Sequence, residues 1–169
     1  MQLKFLITGC HGDLAFSIAK IIKKNFRDSK LIGTDIEING IGNLIFDQIY
    51  KVPLASSKKY YKIISRISKS INLIIPSTEK EIFFFSKNKE KFQTKILVND
   101  KKILDIFSNK LKTQKFLKKN FNHFSLNLSS QLSEININKI SLPFFLKKKS
   151  GSGNQNYKVI KNKFDLNEL

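Results

Sequence analysis

The residues best suited to chemistry form a short stretch near the start of the chain, Thr8-Gly9-Cys10-His11-Gly12-Asp13. Paired glycines let a backbone reverse tightly, and the open N–H groups of a helix that follows attract an anion. Asp35 closes the next apolar run roughly 20 residues on, where dinucleotide folds place an acid against a ribose. Gly9, Gly12 and Ala15 spell G-x-x-G-x-x-A, short of the full G-x-G-x-x-G. The turn therefore reads either as a cofactor cradle or as a structural or substrate-side turn.

A second stretch, Lys147-Lys148-Lys149-Ser150-Gly151-Ser152-Gly153-Asn154, lies between two extended runs. A glycine-serine turn joining paired strands can fold over a polyphosphate, its N–H groups donating while a nearby lysine supplies charge. It is not a Walker motif, because no Lys-Ser/Thr pair follows the glycines into a helix. The plain alternative is a solvated hairpin turn with a lysine run.

Other groups carry less. His11 and His123 are far apart and lack partners at metal-ligand spacing, so no metal site is expected. Cys10 beside His11 suggests a nucleophile and its base, but neighbours in a turn rarely aim at each other, and a small loop thiol is the simpler reading. Glu79 and Glu81 could meet a cation or amine at the mouth of a sheet, or merely complement the start of a helix.

Positioning these groups requires a βαβ scaffold, and the first hundred residues have its pattern of short apolar runs and longer amphipathic stretches. Residues 3–7 form a strand; residues 14–26 carry apolar side chains at helical spacing; residues 31–34 form a second strand ending at Asp35. Residues 44–46 and 50–53 read as extended, and a helix follows, capped by Ser56 or Ser57 and running to about Ser70. Asn72 to Ile75 is a buried-type strand stopped by Pro76; Ser77 or Thr78 caps the next helix; residues 96–98 make a fifth strand. After Asn99 come helical patterns at 100–107 and 111–118, then an Asn- and Ser-rich stretch with a weak strand at 124–128, then extended runs at 142–147 and 157–160. The expected fold class is α/β, a Rossmann-like parallel sheet followed by an incomplete α+β subdomain.

Composition narrows the function classes. A hydrophobic fraction of 41% supports a packed core. No apolar run approaches a membrane span, and the opening MQLKFLITG lacks a cleavage site, so a cytoplasmic protein without a membrane partner is expected. The single cysteine cannot form an internal disulfide, which fits a reducing compartment. The net charge of +18 admits nucleic acid, but Arg27 and Arg66 are the only arginines among 31 basic residues. Phosphate clamps and base readers draw on arginine. Lys, Asn, Ile and Phe share A/T-rich codons, so a biased genome explains the composition without a nucleic-acid partner.

Six segments taken in order carry a family resemblance: LKFLITGCHGDLAFSIAKIIK, LIGTDI, GNLIFDQIYKVPLAS, NLIIPSTEKEI, ILDIFSNKLKTQKFLKKN and LPFFLKKKSGSG. Over essentially the whole chain they resemble the carbamoyl-phosphate-synthase-like branch of the ATP-grasp superfamily. The resemblance implies a Rossmann-like pre-ATP-grasp domain over residues 1–100, a helical connection over 101–121, and over 122–169 the truncated start of the ATP-grasp small subdomain. It implies an ATP-dependent carboxylate–amine ligase that passes through an acyl phosphate. ATP, Mg²⁺, a small carboxylate and an amine are its implied partners, and a homodimer is compatible with it.

By that resemblance Lys110 takes the first ATP-contacting basic position, Lys147 the strand lysine before the flexible loop, and Gly151, Ser152 and Gly153 the loop itself. Gly9, Gly12, Asp35 and Glu79 fall on the substrate side. Two departures stand out: Lys148 where the family usually has proline after the lysine, and Asn109 where it often has aspartate. The carboxylates that hold Mg²⁺ are expected beyond Leu169, so this chain alone is expected to be inactive. The rival readings are a nicotinamide-dependent dehydrogenase or epimerase and a non-catalytic binding module. The dehydrogenase lacks its Tyr-x-x-x-Lys pair except at Tyr157 and Lys161, outside the sheet.

Overall fold

A computed structural model describes residues 2–121, 141–150, 157–162 and 164–167. The chain divides into two compact units, Met1–Lys101 and Lys102–Leu169.

The first unit is a five-stranded parallel sheet in the order β3-β2-β1-β4-β5, built from β1 (Lys4–Thr8), β2 (Lys30–Asp35), β3 (Gln48–Lys51), β4 (Leu73–Ile75) and β5 (Lys95–Ile96). Helices α1 (Asp13–Asn25), α2 (Lys58–Ser68) and α3 (Glu79–Asn88) make the crossovers. Because β1 has α-linked neighbours on both sides, the chain changes direction between β1 and β4, and a crevice at the carboxyl ends of those strands is where such folds bind ligands. β1 reads as a continuous apolar run because both faces of its sheet are covered. Phe5 and Ile7 pack with Ala15, Ala19, Ile22 and Phe46 on one side, while Leu6 packs with Tyr60, Ile64, Ile74 and Phe85 on the other.

Two strands differ from the sequence expectation. Residues 44–46 are not extended: a 3-10 helix, Ile41–Leu44, leads into a turn in which the Gly42 carbonyl accepts from Ile45 N and Phe46 N, each at 3.0 Å. The fifth strand stops at Ile96 instead of reaching residue 98, because Val98 N turns back onto Ile96 O at 3.1 Å. Helix caps follow the expected chemistry, Ser57 accepting from Lys59 N and Thr78 from Glu81 N.

The second unit holds most of α4 (Lys101–Phe107), then α5 (Lys110–Asn120), the antiparallel pair β6 (Phe144–Lys147) and β7 (Tyr157–Ile160), and α6 (Phe164–Asn167). The weak strand expected at 124–128, His123, and the loop residues Gly151, Ser152 and Gly153 lie outside the described residues.

Candidate functional site

At the end of β1 the chain turns through Gly9, whose φ of +61° is the left-handed region that side chains resist. A Cβ there would overlap Thr78 Cγ2 and stand 3.0 Å from Ser77 Oγ. Glycine is thus required by the close approach of the β4–α3 connection, which Ser77 fastens by donating its hydroxyl to Thr8 O at 2.6 Å.

The amides of this turn are already used. Cys10 N donates to Thr34 O at 3.1 Å, His11 N to Asp35 Oδ2 at 3.0 Å, and Gly12 N to Gly9 O at 3.0 Å. Asp35 Oδ1 accepts from Ile36 N at 2.7 Å. These three amides are spent on the fold, and Asp35 is spent on the turn and its own loop. Asp13, in the first turn of α1, adds a negative charge where an anion would otherwise sit. The structure thus brings Gly9, Gly12 and Asp35 together in one turn that bonds to itself.

Across the switch point stands Glu81, which sequence reading leaves level with Glu79. It is 7% exposed, and its carboxylate accepts three hydroxyls. Thr8 Oγ1 donates at 2.8 Å and Thr78 Oγ1 at 2.6 Å to Oε2, while Tyr60 OH donates at 2.7 Å to Oε1. The bonds tie β1, α2 and α3 to one buried charge, and among the described residues no base is paired with it. Burial raises the Tyr60 phenol far above its ordinary range, and the adjacent Glu81 charge and bond push the same way. Glu79, the acid expected on the substrate side, lies two positions earlier, half-exposed, with no side-chain bond among the described residues. The signal that could have singled out Glu81 is its capping-box spacing from Thr78, together with Tyr60 on the apolar face of α2.

On the β2 side, the Gly40–Leu44 segment closes over His11. Gly42 N donates to His11 Nδ1 at 3.1 Å, while a Cβ on Gly40 would lie 2.6 Å from His11 Cγ and one on Gly42 2.7 Å from Cys10 O. Cys10 is fully buried; burial first, then the Asp35 charge, push its thiol up to about 12. A thiol so held is no nucleophile at neutral pH. Yet Cys10, His11 and Asp35 present ligand atoms within 4.8 Å of one another, a juxtaposition made by the β1–β2 pairing that sequence spacing could not display.

In the second unit, the start of α5 and the residues just after β6 meet through their backbones. Lys110 N donates to Lys149 O at 2.8 Å, and Asn109 bridges to Ser150. Asn109 also caps α5, its Oδ1 accepting from Leu111 N at 3.1 Å and Lys112 N at 3.2 Å, a task an aspartate would perform equally well. On the exposed face of the hairpin, Lys147 Nζ lies 5.8 Å from the ring centres of both Phe145 and Tyr157, within cation–π range.

The PylC-like N-terminal-domain family matches residues 5–98, more than half of the chain. The chain belongs to that family. Its ATP-grasp assignment follows, and the structure has the five-stranded parallel α/β sheet of the ATP-grasp neighbours. None of the curated proteins matches significantly.

Among solved structures, an N5-carboxyaminoimidazole synthetase from Staphylococcus aureus complexed with ADP is similar over 99% of this chain and 44% of its own, at 16% identity and TM-score 0.72. The N5-carboxyaminoimidazole ribonucleotide synthetase of Thermotoga maritima covers 100% of this chain and 43% of its own, at 19% identity and TM-score 0.68. A biotin carboxylase domain dimer of Hydrogenobacter thermophilus 2-oxoglutarate carboxylase, in complex with MgADP, ADP and bicarbonate, covers 99% and 40%, at 14% identity and TM-score 0.69. The chain thus spans less than half the length of these enzymes, and the likeness is one of fold.

Proposed function

We propose that this chain is the N-terminal part of an ATP-dependent carboxylate–amine ligase. In this reading the second unit holds ATP and the crevice at the β1–β4 switch point faces the carboxylate substrate. The observation that carries the reading is the bond from Lys110 N to Lys149 O, which joins the two segments whose lysines the family places on ATP. The exposed Phe145 and Tyr157 rings beside Lys147 add a surface on which a purine can stack.

The roles follow from charge. Lys110 and Lys147 stabilise the negative charge spread over the transferring phosphoryl group, and the Gly151–Gly153 loop supplies backbone donors. A substrate carboxylate oxygen attacks the γ-phosphorus and ADP leaves. The amine nitrogen then attacks the acyl carbon, phosphate leaves, and the amine loses its proton. Gly9, Gly12 and Asp35 shape the substrate side, with Glu79 as the carboxylate open to a cationic group.

Mg²⁺ would accompany the nucleotide. Among the described residues of the second unit no three acidic, histidine or cysteine side chains lie within ligand reach of one another, and Asp165 is engaged by the Lys161 and Asn162 amides. The reading also holds that the chain by itself is inactive. A cytoplasmic location belongs to the same reading; among the described residues no helix is long and apolar enough to cross a membrane. A homodimer is proposed with it, to be checked by sedimentation.

Calorimetric titration tests the reading. MgATP should bind the chain, Lys147→Ala should weaken that binding about tenfold or more, and NADH should give no heat. In a protein carrying the whole catalytic unit, Lys147→Ala should remove most ATP turnover. Unchanged affinity and turnover in that variant would overturn the assignment. NADH binding without ATP binding would favour the dehydrogenase, and response to neither would favour a binding module.

A further inference from the structure

Beside the Gly40–Leu44 segment lies a group of side chains of which the ligase reading uses only Asp35, as part of the substrate side. Cys10 Sγ, an imidazole nitrogen of His11 and a carboxylate oxygen of Asp35 lie within 4.8 Å of one another. A thiol, an imidazole and a carboxylate form the donor set of zinc and its neighbours. We propose that Cys10, His11 and Asp35 form a transition-metal site of the zinc type, with a fourth position open to water. The site is independent of the proposed ATP site.

Two further observations support it. The charges around the cluster are unbalanced: in a chain of net charge +18, neither Asp35 nor the nearby Glu81 has an ion-pair partner among the described residues. His11 Nε2 is buried and has no hydrogen-bond partner among the described residues. The ring is therefore incompletely satisfied as it stands, and rearrangement costs it less than it would a fully bonded group. The ion's size sets how far the cluster must move. Zinc-to-ligand distances of about 2.0–2.3 Å put donors of a tetrahedral ion roughly 3.3–3.8 Å apart, so the cluster closes by roughly 1 Å on binding.

Binding has a structural consequence. A neutral imidazole owns one lone pair, and the Gly42 amide now occupies it at 3.1 Å. Whichever nitrogen takes the ion, that bond breaks and the Gly40–Leu44 turn is unpinned from His11. The Cys10 S–H bond is replaced by a sulfur–metal bond and its proton goes to solvent. No electrons are transferred.

Cobalt(II) titration of the tag-free, chelator-treated chain tests the proposal. Because Cys10 is the only cysteine, a thiolate-to-cobalt charge-transfer band can come from no other residue. The expected result is one cobalt per chain, intense tetrahedral visible bands, and displacement by one equivalent of zinc. Cys10→Ser should abolish the charge-transfer band. His11→Gln and Asp35→Asn should each weaken binding by more than about tenfold, a loss that even an outer-shell partner can produce. Zinc should also speed hydrogen exchange at the Gly42 amide.

Absence of the thiolate band in the wild-type chain would overturn the proposal, as would unchanged affinity in both the His11 and Asp35 variants. X-ray absorption of the zinc-loaded wild type decides the matter without requiring any variant to fold. One sulfur neighbour with nitrogen or oxygen is expected, and a shell without sulfur rejects the site.

Discussion

Glu81 holds a buried charge with hydroxyls alone. Hydrogen bonds to charged groups contribute about 1.5–3 kcal/mol each, and removing one partner of a buried set costs more than replacing the set. Glu81→Gln presents an amide NH₂ to three hydroxyl donors, and at least one of them loses its acceptor. The expected loss is about 1–3 kcal/mol in urea unfolding. Tyrosine fluorescence can follow it, because Tyr50, Tyr60 and Tyr61 all lie in the first unit. A neutral result would mean that the network is replaceable.

Gly9→Ala tests the turn beside it. A left-handed backbone costs a side chain about 1–2 kcal/mol before any contact is counted. Thr78→Ser removes the methyl that the new Cβ would strike while keeping the capping hydroxyl, so the double variant should recover part of the loss. Strict additivity of the two changes would contradict the close approach. At this scale the sequence reveals Gly9 as a turn residue but not its reason, because Thr78 and Ser77 reach it only through the β1–β4 pairing.

At the scale of elements, the edge of the sheet depends on Asp47. Its Oδ2 accepts from Leu31 N at 2.6 Å and from Lys23 Nζ at 2.8 Å, tying α1 to the start of β2 and the approach to β3. Burial alone would raise this carboxyl, but the Lys23 bond and the Leu31 amide outweigh it and hold the group below the usual carboxylate range. A depressed carboxylate contributes stability that is complete above its unfolded value, near 3.9, and lost as pH falls through the lower folded value. Below about pH 4 the chain should therefore lose part of its stability, and Asp47→Asn should lose less over the same interval. The pair is partly exposed, so the difference should be about 0.2–1 kcal/mol at low salt and smaller at high salt. An acid limb identical in both proteins would rule out this role.

Helices α1, α2 and α3 are legible in the sequence because apolar spacing, and for α2 and α3 a Ser or Thr cap, are local signals. The Ile41–Leu44 turn is not, since Leu44-Ile45-Phe46 has a strand's composition while Gly42 supplies the acceptor that curls it. β5 ends early for a similar local reason, a turn between Val98 and Ile96 that composition does not encode.

For the whole molecule, the order of six segments is enough to reach the ATP-grasp assignment, and the family match over residues 5–98 agrees with it. The trio of Cys10, His11 and Asp35 stays hidden in the sequence, because chain order separates Asp35 from the pair that parallel strands bring to it. The self-bonded turn is equally invisible: its glycines suggest an anion cradle, and only the placement of Thr34 O, Asp35 and Gly9 O reveals that its amides are taken.

Residue-resolved NMR of the chain titrated with MgATP and then with NADH separates the ligase from its rival and reads both sites at once. MgATP should shift Lys110, Lys147 and Gly151–Gly153 while Cys10, His11 and Gly12 stay still, and NADH should shift nothing. NADH shifts centred on Gly9–Gly12, with a hairpin silent to MgATP, would refute the ligase reading.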